Sequence, residues 1–418
     1  MKLFELEYGK SSVNFDLNPE NIICEMKANP VVHKLEGLEE VKRALENPIG
    51  SKRLRELVSP GEKVCIIASD ITRPCPSYVF LPALIDELAE GGVREEDIVI
   101  VLALGIHRPH TEEEMKTLTG AEVFDRVRVV DSDPDDCVYS GSTSRGTPLN
   151  ITREVNSCDR IIATGNIEMH YFAGYSGGAK ALMPGVSDRD AIQANHSMMV
   201  EETSVAGRIE GNNIRQDIEE AGDIIGVDFI LNVVLDESKK IVGAVAGDHR
   251  KAHREGVKIL DSMYKIHIPE LADLVIASAG GFPKDINLYQ AQKALDNAKH
   301  AVREGGIIIL VAECLEGFGE EVFHDWLHEA KSGEDLIRRA KEDFMLGGHK
   351  AAAIAMTVEK CSEVLLVSAL PDELAEKTLM KPFTNINDAL IHAYKLLGKD
   401  ARIIIMPHAG STLPNHKA

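Results

Sequence analysis

Between Gly165 and His196 the chain reads GNIEMHYFAGYSGGAKALMPGVSDRDAIQANH, gathering His170, Lys180, His196 and a cluster of glycines just after the run DRIIAT (159–164). An imidazole can ligate a metal or move a proton near neutral pH. A lysine held in a packed site can become a nucleophile or a covalent anchor. Glycine lets the backbone approach a bulky ligand without steric cost. Together these residue types describe a cofactor cradle rather than a packing element. An ordinary glycine-rich surface loop with incidental histidines is the competing possibility.

His107, His110, His170 and His196 are the metal or acid–base candidates, though none forms HExxH and no pair has fixed ligand spacing. His110, in RPHTEEE, reads as structural: Thr111 suits an N-cap, and Glu114 follows three residues later. GYSGGAK (174–180) fails the GxxxxGK[ST] phosphate-loop template, because Ala179 precedes the lysine and Ala181 follows it. Backbone N–H groups there, around Ser176, Gly177 and Gly178, can still hold a phosphate through a nest. That allows a nucleotide-like cofactor and argues against Walker-type ATP hydrolysis. Arg73, before Pro74, offers a planar fork for a carboxylate, and Asp70 suits a ribose hydroxyl or the cap of the following helix.

Short apolar runs must position these residues. They are VCIIAS (64–69), DIVIVLAL (97–104), RVRVV (126–130) and DRIIAT (159–164), then DLVIAS (273–278), GIIILVA (306–312), EVLLVS (363–368) and ARIIIM (401–406). Near-continuous apolar strands alternating with helical patterns predict parallel sheets covered on both faces. FILNVVLDESKKIVGAVAG (229–247) differs, and reads as an antiparallel hairpin at a sheet edge, turning at Asp236–Lys239. The pattern breaks at KIHIPELA, near 265–272. The expectation is therefore an α/β protein of two domains, 1–266 and 270–400, with mostly parallel sheets facing each other across a cleft. Residues 404–418 are left to rejoin the first domain. In open α/β sheets ligands bind beyond the carboxyl ends of the strands. Asp70–Pro74, Gly105–Arg108, Gly165–His170 and Ala279–Pro283 all sit there, which points to a single site.

Composition narrows the classes. At 418 residues, 44% hydrophobic and 27% charged, the chain matches an ordinary globular protein of two domains. A net charge of −21 disfavours nucleic acid and acidic membranes, and charge runs such as DSDPDD (131–136) read as solvated turns. No apolar run is long enough to span a membrane, and MKLFELEYGKSS reads as a first strand of a cytoplasmic protein rather than a signal peptide. The seven cysteines show no CxxC pairing, against a zinc ribbon or disulfide framework.

SDITRP, LGIHR, EMHYFAGYSGGAK…NH and GGFPKDINLYQAQKALDNA, in that order, closely resemble the nickel-dependent lactate racemase family. His-x9-Lys-x15-His and, further on, Tyr-Gln-x-x-Lys are the specific motifs, and the resemblance covers most of the chain. It implies an isomerase that inverts C2 of a 2-hydroxycarboxylate. It also implies a nickel-pincer nucleotide, pyridinium-3,5-bisthiocarboxylic acid mononucleotide nickel, made by separate cofactor-synthesis proteins. Carried over by position, Lys180 corresponds to the lysine that tethers the cofactor and His196 to the nickel ligand. His107 and His170 match the acid–base pair. Asp70, Ile71, Thr72 and Arg73 match the segment at cofactor and substrate, and Arg73, Tyr289, Gln290 and Lys293 match the substrate contacts. The identity of the hydroxy acid stays open. Two other classes compete: a two-domain hydroxy-acid sensor without catalysis, and a zinc hydrolase, which would need three protein ligands around one ion.

Overall fold

The computed structural model describes residues 1–32 and 34–416. The chain divides into two compact units, a continuous one, Val31–Asp261, and one assembled from Met1–Pro30 with Ser262–Ala418.

The continuous unit is built on a six-stranded sheet. Its order is Ile241–Gly247, Phe229–Leu235, Arg160–Asn166, Val64–Ser69, Ile98–Ala103 and Arg128–Asp131. The first two strands are antiparallel, as the hairpin reading of 229–247 expects, and every other neighbouring pair is parallel. Strands covered on both faces must be apolar at successive positions, which is why these runs lack alternation. Val64, Cys65, Ile66, Ile67 and Ala68 are all fully buried. Helix Ser77–Glu90 packs Phe80, Leu81, Leu84, Ile85 and Leu88 into the same core. Truncating one such side chain to alanine typically costs about 2–5 kcal/mol. Parallel pairing also brings strand ends to one edge: Ser69 lies opposite Ala103, and Ile67 opposite Ala163. The turns that leave these strands therefore emerge side by side.

The other unit has its own six-stranded sheet, parallel throughout. The order is Lys381–Phe383, Glu363–Val367, Val302–Val311, Ala272–Ser278, Ile403–Met406 and Ile22–Glu25. This division corrects the boundaries expected from sequence. Residues 1–30 do not belong with 31–261, because Ile22–Glu25 pairs with Ile403–Met406. The hairpin Lys2–Tyr8 with Ser11–Leu17 adds Phe4, Leu6, Phe15 and Leu17 to a core containing Leu274, Ile276, Ile307 and Ile309. Residues 404–416 stay in the same unit. There Leu413–Asn415 pairs with Lys265–His267, the segment that had looked like a boundary. No helix among the described residues is long and apolar enough to cross a membrane.

Candidate active site

The first chemically loaded turn follows Val64–Ser69. Asp70 is buried, and its carboxylate accepts from Thr72 Oγ1 at 2.8 Å and faces His107 Nδ1 at 2.8 Å. Burial alone would raise this carboxyl. The His107 and Thr72 bonds and the charge of Arg73 outweigh that and hold it below the usual carboxylate range. Asp70 does not cap the next helix, which starts at Ser77 after Pro76 with no side-chain cap. With Nδ1 donating to Asp70, neutral His107 carries its lone pair on Nε2. Ile71, Thr72 and Arg73 are exposed, and Arg73 forms no ion pair among the described residues.

His110 holds this turn from behind. Its Nε2 accepts the Ile71 N–H at 3.0 Å, while Nδ1 lies 2.6 Å from Asp131 Oδ1. Thr111 and Glu114 form the expected capping box. Asp131, read from sequence as part of a solvated acidic turn, instead receives the His110 N–H at 2.8 Å and has a side chain only 14% exposed. The bracket His110–Asp131 was missed because an acidic run gives no sign of which member turns inward.

The glycine loop lies in the same unit. Gly174, Gly177 and Gly178 have φ of +76°, +77° and +62°, and a Cβ on Gly174 would fall 1.9 Å from the Arg208 carbonyl oxygen. Lys180 sits on the short helical turn Gly178–Ala181. Three side chains absent from the sequence expectations shape this loop. Arg215, fully buried, donates to the carbonyls of Ala173 and Gly177, each at 3.3 Å, and to that of Tyr175. Asn232 accepts the Gly178 N–H at 2.7 Å and donates to the Gly165 carbonyl at 3.2 Å. His253 Nε2 lies 2.8 Å from the Ser176 carbonyl. Two of them carry a signal: Asn232 interrupts the apolar strand FILNVVL, and Arg215 shares a helix face with Ile218 and Gly222.

Lys180 is partly exposed yet densely surrounded by protein atoms. Burial and the charges of Arg73 and Arg215 outweigh Asp70 and push its amine down to about 7. Half of it is therefore an uncharged nucleophile at neutral pH. His170 and His196 meet on one side chain: the Phe172 ring lies edge-on to both, with centroids at 4.5 and 4.8 Å. Burial, then Lys180 and Arg73, lower the pKa of His170 well below that of a free imidazole, so it is neutral at pH 7. Its Nδ1 accepts the Ala173 N–H at 3.3 Å. His196 is buried at the end of helix Arg189–His196, with Nδ1 3.0 Å from Asn195 Oδ1.

Tyr289, Gln290 and Lys293 belong to the other unit. Asn287 caps helix Leu288–Ala298 by accepting the Gln290 N–H at 3.0 Å, and the three residues share one face. Lys350 donates to the Tyr289 carbonyl at 2.6 Å. Among the described residues no three His, Cys, Asp or Glu side chains are gathered as a hydrolytic zinc site requires.

Two family models match the chain: the lactate racemase N-terminal domain over residues 8–207 and the lactate racemase C-terminal domain over 268–413. The chain is 34% identical to a lactate racemase of Thermoanaerobacterium thermosaccharolyticum, over all of both chains. It is 32% identical to one of Lactiplantibacillus plantarum, over 97% of this chain and 98% of that protein. The solved apoprotein of the Thermoanaerobacterium enzyme superposes with a TM-score of 0.89, covering 99% of this chain and 100% of that one. A Thermotoga maritima protein, 18% identical with a TM-score of 0.62 over 92% of this chain and 100% of its own, shares the fold.

Proposed function

The chain belongs to the lactate racemase family and is an isomerase, and on that premise we propose that it inverts C2 of lactate or a closely related 2-hydroxycarboxylate with a nickel-pincer nucleotide tethered at Lys180. The observation that carries this proposal is Lys180 set in a glycine cradle, its amine pushed down to about 7, with the buried imidazole of His170 near enough to feel its charge. The residues fit the group. At the Lys180 amine the charges of Arg73 and Arg215 outweigh that of Asp70, a field that favours a phosphate-bearing ligand. Asn166, at the end of the strand leading into the loop, buries a side-chain Nδ2 with no partner among the described residues. Imidazole from His196 suits nickel alongside soft donors. Cofactor-synthesis proteins would supply the nucleotide to a cytoplasmic enzyme.

When bound, the nucleotide supplies a hydride acceptor, which the chemistry requires because the C2 proton of a hydroxycarboxylate is very weakly acidic. The protein's part is to move the hydroxyl proton and hold the acid still. His107, its Nδ1–H held by Asp70, presents Nε2 to the hydroxyl of one enantiomer. His170 serves the other, whose hydroxyl lies on a different side. Arg73 grips the carboxylate through its fork, so that the planar keto acid can turn without escaping; Gln290 and Lys293 are assigned to the substrate by the family motif alone. Arg73→Lys keeps the charge and loses the fork. It should lower kcat/KM by about tenfold to a thousandfold, on the order of 1.4–4 kcal/mol. Wild-type kinetics would move the grip to Lys293.

Hydride transfer is tested by following the C2 hydrogen. Substrate deuterated at C2 should keep most of its label through racemisation and show a primary isotope effect. Two-base proton transfer would release that label to water. Solvent deuterium appearing at C2 of product from the first turnover would overturn the mechanism.

A further inference from the structure

We propose that Asp217 is a positioning residue for His196, acting through Asn195 to fix which ring nitrogen carries the hydrogen; this rests on His196 being the nickel ligand. Asn195 and His196 close helix Arg189–His196, and Asp217 stands on helix Asn213–Ile225. Asn195 and Asp217 are both wholly buried. Asn195 Nδ2 donates to Asp217 Oδ2 at 2.8 Å. The same oxygen accepts from Thr147 Oγ1 at 2.7 Å, and Asp217 Oδ1 accepts from Thr143 Oγ1. Thr143 Oγ1 itself accepts the Thr147 N–H at 3.2 Å, so its own hydrogen is committed to Asp217. Three donors thus converge on one carboxylate that has no ion-pair partner among the described residues.

The directions of these bonds form a chain of necessity. A carboxylate only accepts, so it turns the Asn195 NH2 toward itself. The amide oxygen must then face the other way, where it lies 3.0 Å from His196 Nδ1. A carbonyl oxygen also only accepts, so His196 donates from Nδ1 and keeps its lone pair on Nε2. Reversing the amide would place the hydrogen on Nε2 and leave that nitrogen unable to ligate. Partners of this kind orient metal-binding imidazoles and fix their tautomer. Packing alone gives no reason to bury a carboxylate and two threonine hydroxyls here, since an apolar side chain would fill the space without the desolvation cost.

The test uses the full chain expressed without cofactor, labelled with nitrogen-15 in histidine, at mildly alkaline pH. The His196 signals are identified by their loss in His196→Gln. The expected result is a protonated Nδ1 and an unprotonated Nε2. Asp217→Ala and Asn195→Ala should move His196 to a mixed or opposite tautomer, whereas Asp217→Asn, which can still accept from Asn195, should keep the wild-type pattern. A wild-type spectrum with hydrogen on Nε2, or an unchanged pattern in folded Asn195→Ala, would overturn the proposal. Should Asp217→Ala fail to fold, the wild-type and Asn195→Ala spectra decide. The visible absorption spectrum of the loaded His196→Gln variant separates the two ideas: nickel bands identical to those of the wild type would remove His196 as ligand while leaving the tautomer result standing.

Discussion

Lys180→Ala should carry no covalent nucleotide after expression with the cofactor-synthesis proteins, while the wild-type mass exceeds the sequence mass by one adduct. Racemisation should fall by at least about a thousandfold, roughly 4 kcal/mol, because an untethered cofactor is neither oriented nor retained. Stability should change by less than about 1 kcal/mol, since the amine sits among Arg73 and Arg215 and removing it relieves repulsion. The pH dependence of loading is a second signature. With the amine near 7, its uncharged fraction grows as pH rises through 7 and is nearly complete about one unit higher. Adduct formation should therefore level off above about pH 8, where a lysine of ordinary pKa near 10.4 would still be gaining about tenfold per unit. An adduct on another residue, or an active enzyme that never carries one, would sink the tether.

Replacing either His107 or His170 by alanine should lower racemisation by about 10²- to 10⁴-fold, the usual worth of a positioned acid–base group. Two enantiomers have equal free energy, so kcat/KM must fall by the same factor in both directions whichever histidine is removed. The informative measurement is a single turnover from each pure enantiomer. The enantiomer served by the surviving histidine should still yield keto acid, and the other should not. His170 acts as a base only while uncharged. Because burial and neighbouring cations lower its pKa well below 6.5, the loss of activity it causes should begin only as pH falls well under that value. One variant retaining near-wild-type racemisation would show that a single imidazole serves both faces.

Much of this site is written in local sequence. The strands that deliver Asp70, His107 and Lys180 are apolar because both faces are covered, and such runs stand out without an alignment. The motif spacing around Lys180 survives into one loop because glycine alone tolerates its φ values. The supporting contacts are harder to see. His110 was placed correctly at a helix start, but its grip on the Ile71 N–H depends on Asp131, across a tertiary contact that no periodicity encodes. Asp70 was half misread, as the cap of a helix, because an acidic residue in a strand-to-helix turn usually plays that part; here the pull of His107 and Thr72 wins. The four-residue strand Ile22–Glu25 was invisible for a different reason. It is too short to carry a pattern, and its pairing partner lies about 380 residues away.

That pairing has a bearing on how the chain is made. Residues 22–25 leave the ribosome about 380 residues ahead of the strand they must join, Ile403–Met406. At synthesis rates of about 5–20 residues per second the delay is roughly 20–80 s. During it the unit Val31–Asp261 is contiguous and complete in itself, free to close as soon as it emerges. The assembled unit has no such option. Its segment 1–30, with Phe4, Leu6, Phe15 and Leu17 destined for a core, must wait for Ile403–Met406 to arrive. The unit holding Lys180, His196 and their supports thus belongs to the part of the nascent chain that can mature early, and the unit holding Gln290 and Lys293 to the part that must mature later.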